Sequence, residues 1–276
     1  MKMFNNVVII GTGLIGGSLG LSLKKRRLSG TIYGLSLHQR NAKLAKKIGA
    51  IDKAVKDLEV VRSADLVILA TPVDSIIDIA AKIKDKLKKG CIVIDVGSTK
   101  EKIVCRLDPL ISNFVGCHPL AGSEKKGIVN LGGDIFTGST CIITPSALTN
   151  KKALNKIKAF WVKLGAQVEV ISPKKHDQAL ACTSHLAHAV AFALMNSIPE
   201  NFLNFSLSSL KEVTRISASD PGLWSQIFLS NRNNLLSAIS SFQNKIAALG
   251  LALKNNDKKF LIKILKSANK KRERLG

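Results

Sequence analysis

Tyrosine occurs once in the 276 residues, at Tyr33, and aromatic side chains together make up only 5%. A chain this poor in aromatics offers few platforms on which nucleic-acid bases could stack. Acidic residues are also scarce, 19 against 42 Lys+Arg, which leaves a formal charge of +23. Such an excess suits phosphate-rich partners, yet only nine of the basic residues are Arg, the side chain that forks onto phosphates and base edges. The lysines are spread along the whole length. No nucleic-acid partner is expected; solvated Lys-rich helix faces and an anionic small-molecule substrate fit this pattern.

Cysteine is sparse and unpatterned. The five residues (Cys91, Cys105, Cys117, Cys141, Cys182) are odd in number and lack CxxC spacing. They read as small buried thiols in a reducing compartment, and no metal site is expected. No stretch reaches the ~18 apolar residues of a membrane span. The apolar run Val7 to Leu23 contains five glycines and ends in Lys24-Lys25-Arg26-Arg27, which fits a strand, turn and helix better than a signal peptide. The expected setting is cytoplasmic, with no membrane partner. At 46% hydrophobic and 22% charged residues, the composition is globular and excludes disorder of the whole chain.

What the sequence does have is alternation. Val7–Ile10, Thr31–Gly34, Leu66–Leu69, Cys91–Ile94, Cys141–Ile143 and Val168–Ile171 are short runs of almost continuous apolar character, suited to strands covered on both faces. Helical patterns lie between them, such as Asn41 to Ile48 closed by Gly49 and Asp74 to Leu87 closed by Gly90. This predicts an α/β fold, with a Rossmann-type doubly wound parallel sheet over residues 1–171. From residue 172 to 276 the strands disappear, and helices are predicted over His176–Met195, Leu207–Ser217 and Pro221–Leu253, with a fraying, solvated helix end from Lys266. The span Leu186 to Met195 is so apolar that it must be buried on nearly all sides, and a second copy of the chain could do this. An all-helical C-terminal dimerisation domain, and a homodimer, are therefore expected.

Gly11-Thr12-Gly13-Leu14-Ile15-Gly16 is a GxGxxG loop directly after the first strand, opening a helix. In that context Gly11 serves the tight turn, Gly13 the close approach of a pyrophosphate, and Gly16 helix-strand packing. An acid normally follows about 20 residues on to hold the ribose of NAD. Ser36 stands there instead, with His38 and Arg40 beside it. Loss of the carboxylate removes repulsion against a 2′-phosphate that Arg40 or His38 could pair with, so the cofactor expected is NADP or NAD, NADP being favoured. Alternatively Ser36 is simply permissive and both bind.

Further along, Asp95-Val96-Gly97-Ser98-Thr99-Lys100 and Phe114-Val115-Gly116-Cys117-His118-Pro119-Leu120-Ala121-Gly122-Ser123 lie beyond strand ends, where open sheets bind ligands. His118, set between Gly, Cys and Pro in a predicted loop, is expected to face a ligand. His185 is either a satisfied core histidine or a pocket group, and His188, one turn on, is expected to be structural. Arg215 is the only arginine between Arg106 and Arg232. It suits bidentate capture of a carboxylate, the alternative being an ion pair with Glu212 or Asp220.

Taken together, GTGLIGGSL at 11–19, ATPVD at 70–74, DVGSTK at 95–100, FVGCHPLAGSEKKG at 114–127, SHLAHAVAFAL at 184–194 and TRISASDPGLW at 214–224 resemble the prephenate dehydrogenase family, which includes arogenate and cyclohexadienyl dehydrogenases. The resemblance implies oxidative decarboxylation of a cyclohexadienol in tyrosine biosynthesis. It gives His118 the role of proton acceptor for the ring hydroxyl and Ser98 that of orienting it. It gives Arg215 a substrate carboxylate, and places His185, Gly122 and Ser123 in the substrate pocket. Leu14, Ile15, Thr71 and Pro72 fall to the cofactor. Two departures stand out: Ala187 replaces a frequent Pro, and Ser36 replaces the acid. No regulatory segment is recognised, so feedback by tyrosine is expected to act at the active site. Two other readings share the sheet: a two-domain imine or β-hydroxyacid reductase, and a dinucleotide sensor without turnover.

Overall fold

The computed structural model describes residues 2–121 and 134–275. They form two compact units, Met1–Asn231 and Arg232–Gly276. In the first, β1 (Phe4–Ile10), β2 (Ser29–Leu35), β3 (Lys53–Ala54), β4 (Leu66–Leu69), β5 (Ile92–Asp95), β6 (Phe114–Leu120), β7 (Thr140–Ile143) and β8 (Gln167–Val170) make one sheet in the order β3-β2-β1-β4-β5-β6-β7-β8. Every neighbouring pair is parallel except β6 and β7. The order reverses between β1 and β4, and that switch point opens the crevice in which such sheets bind dinucleotides.

The apolar runs explain the layering. In β1, Val7 and Ile9 pack into one cluster with Phe160 and Trp161, while Val8 and Ile10 pack into another with Ile76 and Ile103. Successive side chains thus enter opposite cores, so β1 must be apolar throughout. The covering helices are α1 (Leu14–Lys25) and α5 (Lys151–Lys163) on one face, α3 (Val73–Ile83) and α4 (Glu101–Leu107) on the other. The predicted helix at Asn41–Ile48 is α2 (Gln39–Lys47).

The second half of this unit is helical, as the periodicity predicts. Ser172 accepts a hydrogen bond from the Lys175 N–H at 3.3 Å and Pro173 takes the first position of α6 (Pro173–Leu180). A π-helical turn (Ala181–His185) leads into α7 (Leu186–Ser197). Then come α8 (Ser208–Thr214), a 3-10 turn at Arg215–Ala218, and α9 (Pro221–Ser230), capped by Asp220, whose carboxylate accepts from the Leu223 N–H at 2.6 Å. The second unit is a helix pair, α10 (Arg232–Lys254) and α11 (Lys258–Arg272), joined where Asn256 takes φ +50° and Asp257 caps the second helix.

The structure corrects several expectations. His118 lies in β6, not in a loop; its neighbours Gly116 and Pro119 are poor strand formers that hide the strand in the sequence. The helix predicted over Pro221–Leu253 is two helices, because Asn231 turns out of helical geometry at φ −111° and ψ 30°. The solvated helix end expected from Lys266 is the exposed last part of α11. Cys105 and Cys182 are exposed, only Cys91, Cys117 and Cys141 being buried. By length and composition Pro173–Ser197 does qualify as long and apolar enough to cross a membrane, but it carries His176, Asp177 and His185, each buried and hydrogen-bonded within the protein.

Candidate active site

At the switch point, Gly11 takes φ +101°, and a Cβ there would lie 2.3 Å from the Ala70 carbonyl oxygen. A Cβ on Gly16 would lie 2.0 Å from the Gly11 oxygen. Only glycine permits this turn and this close packing of α1 on β1. Gly13, at the mouth of α1, is different, since a Cβ there would meet nothing within 4 Å. The cradle is open at the point where helix N–H groups can receive an anion. Thr12 and Thr71 line the same end of the sheet, each with a buried hydroxyl oxygen that has no protein partner. Open cradle, helix N-terminus and orphaned hydroxyls fit a dinucleotide pyrophosphate. Ser36 directly follows β2 and Arg40 lies exposed in the first turn of α2, at the same edge, as does Pro72 after β4.

Beside this loop lies a cavity of about 540 Å³ whose wall includes Leu14, Ile15, Ser98, His118, His185 and Arg215. Four sequence-predicted substrate-side residues thus meet the start of α1 in one place. Gly122 and Ser123 lie outside the described residues.

His118 is placed by a change of sheet partner. β6 pairs with β5 as far as Asp95 and Gly116, then turns to antiparallel pairing with β7 from Cys117 onward. The Cys117 carbonyl, left without β5, accepts from Lys100 Nζ at 2.9 Å. Lys100 is fully buried and its ammonium also pairs with the buried Asp95 carboxylate. Burial pushes Asp95 above the ordinary carboxylate value, with Lys100 opposing. A buried charge pair of this kind costs desolvation, offset here by hydrogen bonds to Cys117 and to the Gly97 N–H, which donates to Asp95 at 2.8 Å.

Behind His118 the sequence reading missed a chain of polar groups. His118 Nδ1 lies 2.9 Å from His176 Nε2, and His176 Nδ1 lies 2.7 Å from Asp177 Oδ1. Asp177 accepts the Lys100 N–H at 2.7 Å and the Glu101 N–H at 2.9 Å, capping α4 from α6. Asn231 Nδ2 donates to the Asp177 carbonyl at 2.7 Å and lies 3.1 Å from His185 Nδ1. Burial, then His176, Lys100 and His185, hold His118 well below the usual histidine range. Burial likewise lowers His176, against the pull of Asp177, and holds His185 at about 4. The site is therefore lined by neutral imidazoles at neutral pH. The one signal in the sequence was the adjacent His-Asp pair near the start of α6.

His185 is buried yet reaches the cavity wall through the π-helical turn, which re-aims Thr183, Ser184 and His185. His188 is not purely structural: it stacks on Trp224 with centroids 3.4 Å apart and also lines the cavity, while its Nδ1–H donates to the Ser184 carbonyl at 3.0 Å. Arg215 caps α8 and opens the 3-10 turn that follows, exposed on the cavity rim.

Comparison with known proteins agrees with this geometry. The sequence profile of the prephenate dehydrogenase nucleotide-binding domain matches residues 19–170, and that of the prephenate dehydrogenase dimerization domain matches 172–267. A cyclohexadienyl dehydrogenase of Zymomonas mobilis is 32% identical over 99% of this chain and 96% of its own. A crystal structure of prephenate dehydrogenase from Aquifex aeolicus, in complex with hydroxyphenyl propionate and NAD+, superposes with a TM-score of 0.93 at 36% identity, covering 99% of this chain and 98% of that one. Synechocystis arogenate dehydrogenase gives 0.84 at 26% identity, over 98% and 100%. The chain belongs to the prephenate dehydrogenase family.

Proposed function

We propose that the chain oxidises and decarboxylates prephenate, arogenate or both, at the cavity between the start of α1 and the α6 to α9 segment. The observation that carries this is the meeting of Ser98, His118, His185 and Arg215 on one wall beside the dinucleotide loop. The bound nicotinamide supplies the hydride acceptor. Ser98 and His118 engage the ring hydroxyl, and His118 takes its proton as the carbon–oxygen double bond forms. The Arg215 guanidinium holds a substrate carboxylate, with His185 near the side chain. Such anchors keep the reacting carbon in one place. Apolar wall residues such as Leu180 and Ile227 exclude water. When the ring carboxylate leaves as CO2, its bonding pair enters the ring, and the ring oxygen recovers the proton from His118 as a phenol. No net proton is consumed, so the imidazole is reset after each turnover.

NADP is the favoured cofactor in this reading, because Ser36 offers no carboxylate to the ribose and Arg40 is exposed to meet a 2′-phosphate. Residues 1–171 are assigned to the cofactor, and 172–276 to substrate and dimerisation. Within the single chain only Ala191 of α7 is buried, and α10 and α11 expose Leu236, Leu251, Phe260 and Leu265. These faces, with the dimerization-domain match, support a homodimer joined through the C-terminal helices. The free cysteines agree with a cytoplasmic setting. The test is a spectrophotometric assay crossing prephenate and arogenate with NAD and NADP. Reduced cofactor should form with at least one substrate, and His118→Asn should lower turnover by about 10²- to 10⁴-fold with cofactor binding kept. Formation with neither substrate refutes the reading.

A further inference from the structure

We propose that His176 and Asp177 are positioning residues that fix His118 as the tautomer whose Nε2 lone pair faces the cavity. The inference rests on the proposed function for its kinetic consequence, but its geometry stands alone. Both Asp177 oxygens already accept main-chain N–H groups, from Lys100 and Glu101. The contact of 2.7 Å between Asp177 Oδ1 and His176 Nδ1 is therefore made by a proton on that nitrogen. His176 is fully buried, and burial together with the nearby Lys100 ammonium keeps it neutral. A neutral imidazole protonated at Nδ1 has its lone pair at Nε2. That lone pair accepts from His118 Nδ1, 2.9 Å away. His118 is thereby committed: proton on Nδ1, lone pair on Nε2, the nitrogen left for the substrate.

The alternative tautomer would place a proton where the base must receive one. In the reaction the hydroxyl proton moves to His118 Nε2 and returns to the ring oxygen from there. It does not travel onward, because His176 and Asp177 act by orientation and by stabilising the transient imidazolium. The groups that face this pair are Lys100 and Asp95 from the β5 to α4 segment and His185 from the π turn.

The order of effects along the chain separates positioning from mere packing. In Asp177→Asn the amide nitrogen takes the place of Oδ1, giving up the Lys100 N–H while the amide oxygen keeps that of Glu101, and donates to His176 Nδ1. This moves the His176 proton to Nε2 and the His118 proton to its own Nε2, blocking the base. In His176→Phe no partner dictates the tautomer, and His118 samples both. The remoter substitution should therefore cost more: about 10²- to 10⁴-fold in kcat for Asp177→Asn, and about tenfold for His176→Phe, each with KM nearly unchanged. In 15N-histidine-labelled full-length protein, with the signals assigned through His118→Gln, wild type should show Nδ1 of His118 protonated and Nε2 unprotonated, and Asp177→Asn should show the reverse. A wild-type spectrum with Nε2 protonated overturns the proposal, as does a larger loss in His176→Phe than in Asp177→Asn. If Asp177→Asn fails to fold because α4 loses its cap, the wild-type spectrum still decides. If neither substrate is turned over by wild type, the proposed function fails, and the spectra judge the tautomer separately.

Discussion

Gly13→Ala is the substitution that best separates the cofactor site from the fold. Three glycines share the loop, but the protein surrounds them differently. A methyl group on Gly11 or Gly16 would meet backbone at 2.3 or 2.0 Å, so either change forces the turn apart and costs about 1–3 kcal/mol or more. At Gly13 the backbone has φ −77° and ψ −155°, open to alanine, and nothing lies within 4 Å of the added carbon. Removing Gly lowers the entropy of the unfolded chain, worth about 0.4–1 kcal/mol; losing a glycine N-cap to alanine costs a similar amount. Stability should change by less than about 1 kcal/mol, a Tm shift of a few degrees. Binding should not be spared. A pyrophosphate oxygen accepting a helix N–H at ~2.9 Å would be pushed back by the methyl, and one charge-assisted hydrogen bond is worth roughly 1.5–3 kcal/mol. The expected loss is about 10- to 100-fold in Kd for NAD and NADP alike. Calorimetric titration beside thermal unfolding measures both quantities. Unchanged affinity in a folded Gly13→Ala protein would refute the placement of the pyrophosphate at this loop.

Three more outcomes follow from the same geometry. Arg215→Ala should raise KM for the substrate by about 10- to 100-fold with kcat less affected, in steady-state assays, because a rim cation contributes mainly to binding. Ser36→Asp should move the ratio of kcat/KM values toward NAD by at least about tenfold, since a carboxylate there repels a 2′-phosphate and accepts ribose hydroxyls. Burial holds His185 at about 4 against about 6.5 in the unfolded chain, so the unfolded state binds the extra proton first. Stability is then full above pH 6.5 and falls by about 3 kcal/mol as pH drops toward 4. Denaturant titrations of wild type and His185→Gln across that range should show a smaller acid loss in the variant.

The parts of this architecture that repeat a local rule were readable in the sequence. Continuous apolar strands, Gly49 and Gly90 at φ +80° and +83° after their helices, and the glycine loop each depend on neighbours a few residues away. The features that escaped depend on distant partners. β6 was hidden because Gly116 and Pro119 argue against a strand, and only pairing with β5 and β7 makes one. The end of α9 was hidden because Asn231 leaves helical geometry where its side chain bonds Asp177 and reaches His185, 54 and 46 residues away.

Charge was the most misleading feature, and the structure explains why. Among the described residues Lys100 is the only fully buried Lys or Arg, and its ammonium is spent inside the protein, on Asp95 and the Cys117 carbonyl, where it fixes the strand that carries His118. In the sequence it is one lysine among 33 and looks like surface. The cavity wall itself holds neutral imidazoles and the rim cation Arg215. That balance suits the chemistry. A second fixed cation close to His118 would stabilise the ring carboxylate that must leave, whereas an apolar wall favours its loss as neutral CO2. Lys100 escapes this objection because Asp95 neutralises it within the core. The net charge of +23 is thus a property of the surface, while reactivity depends on which few charges the fold withholds from the cavity.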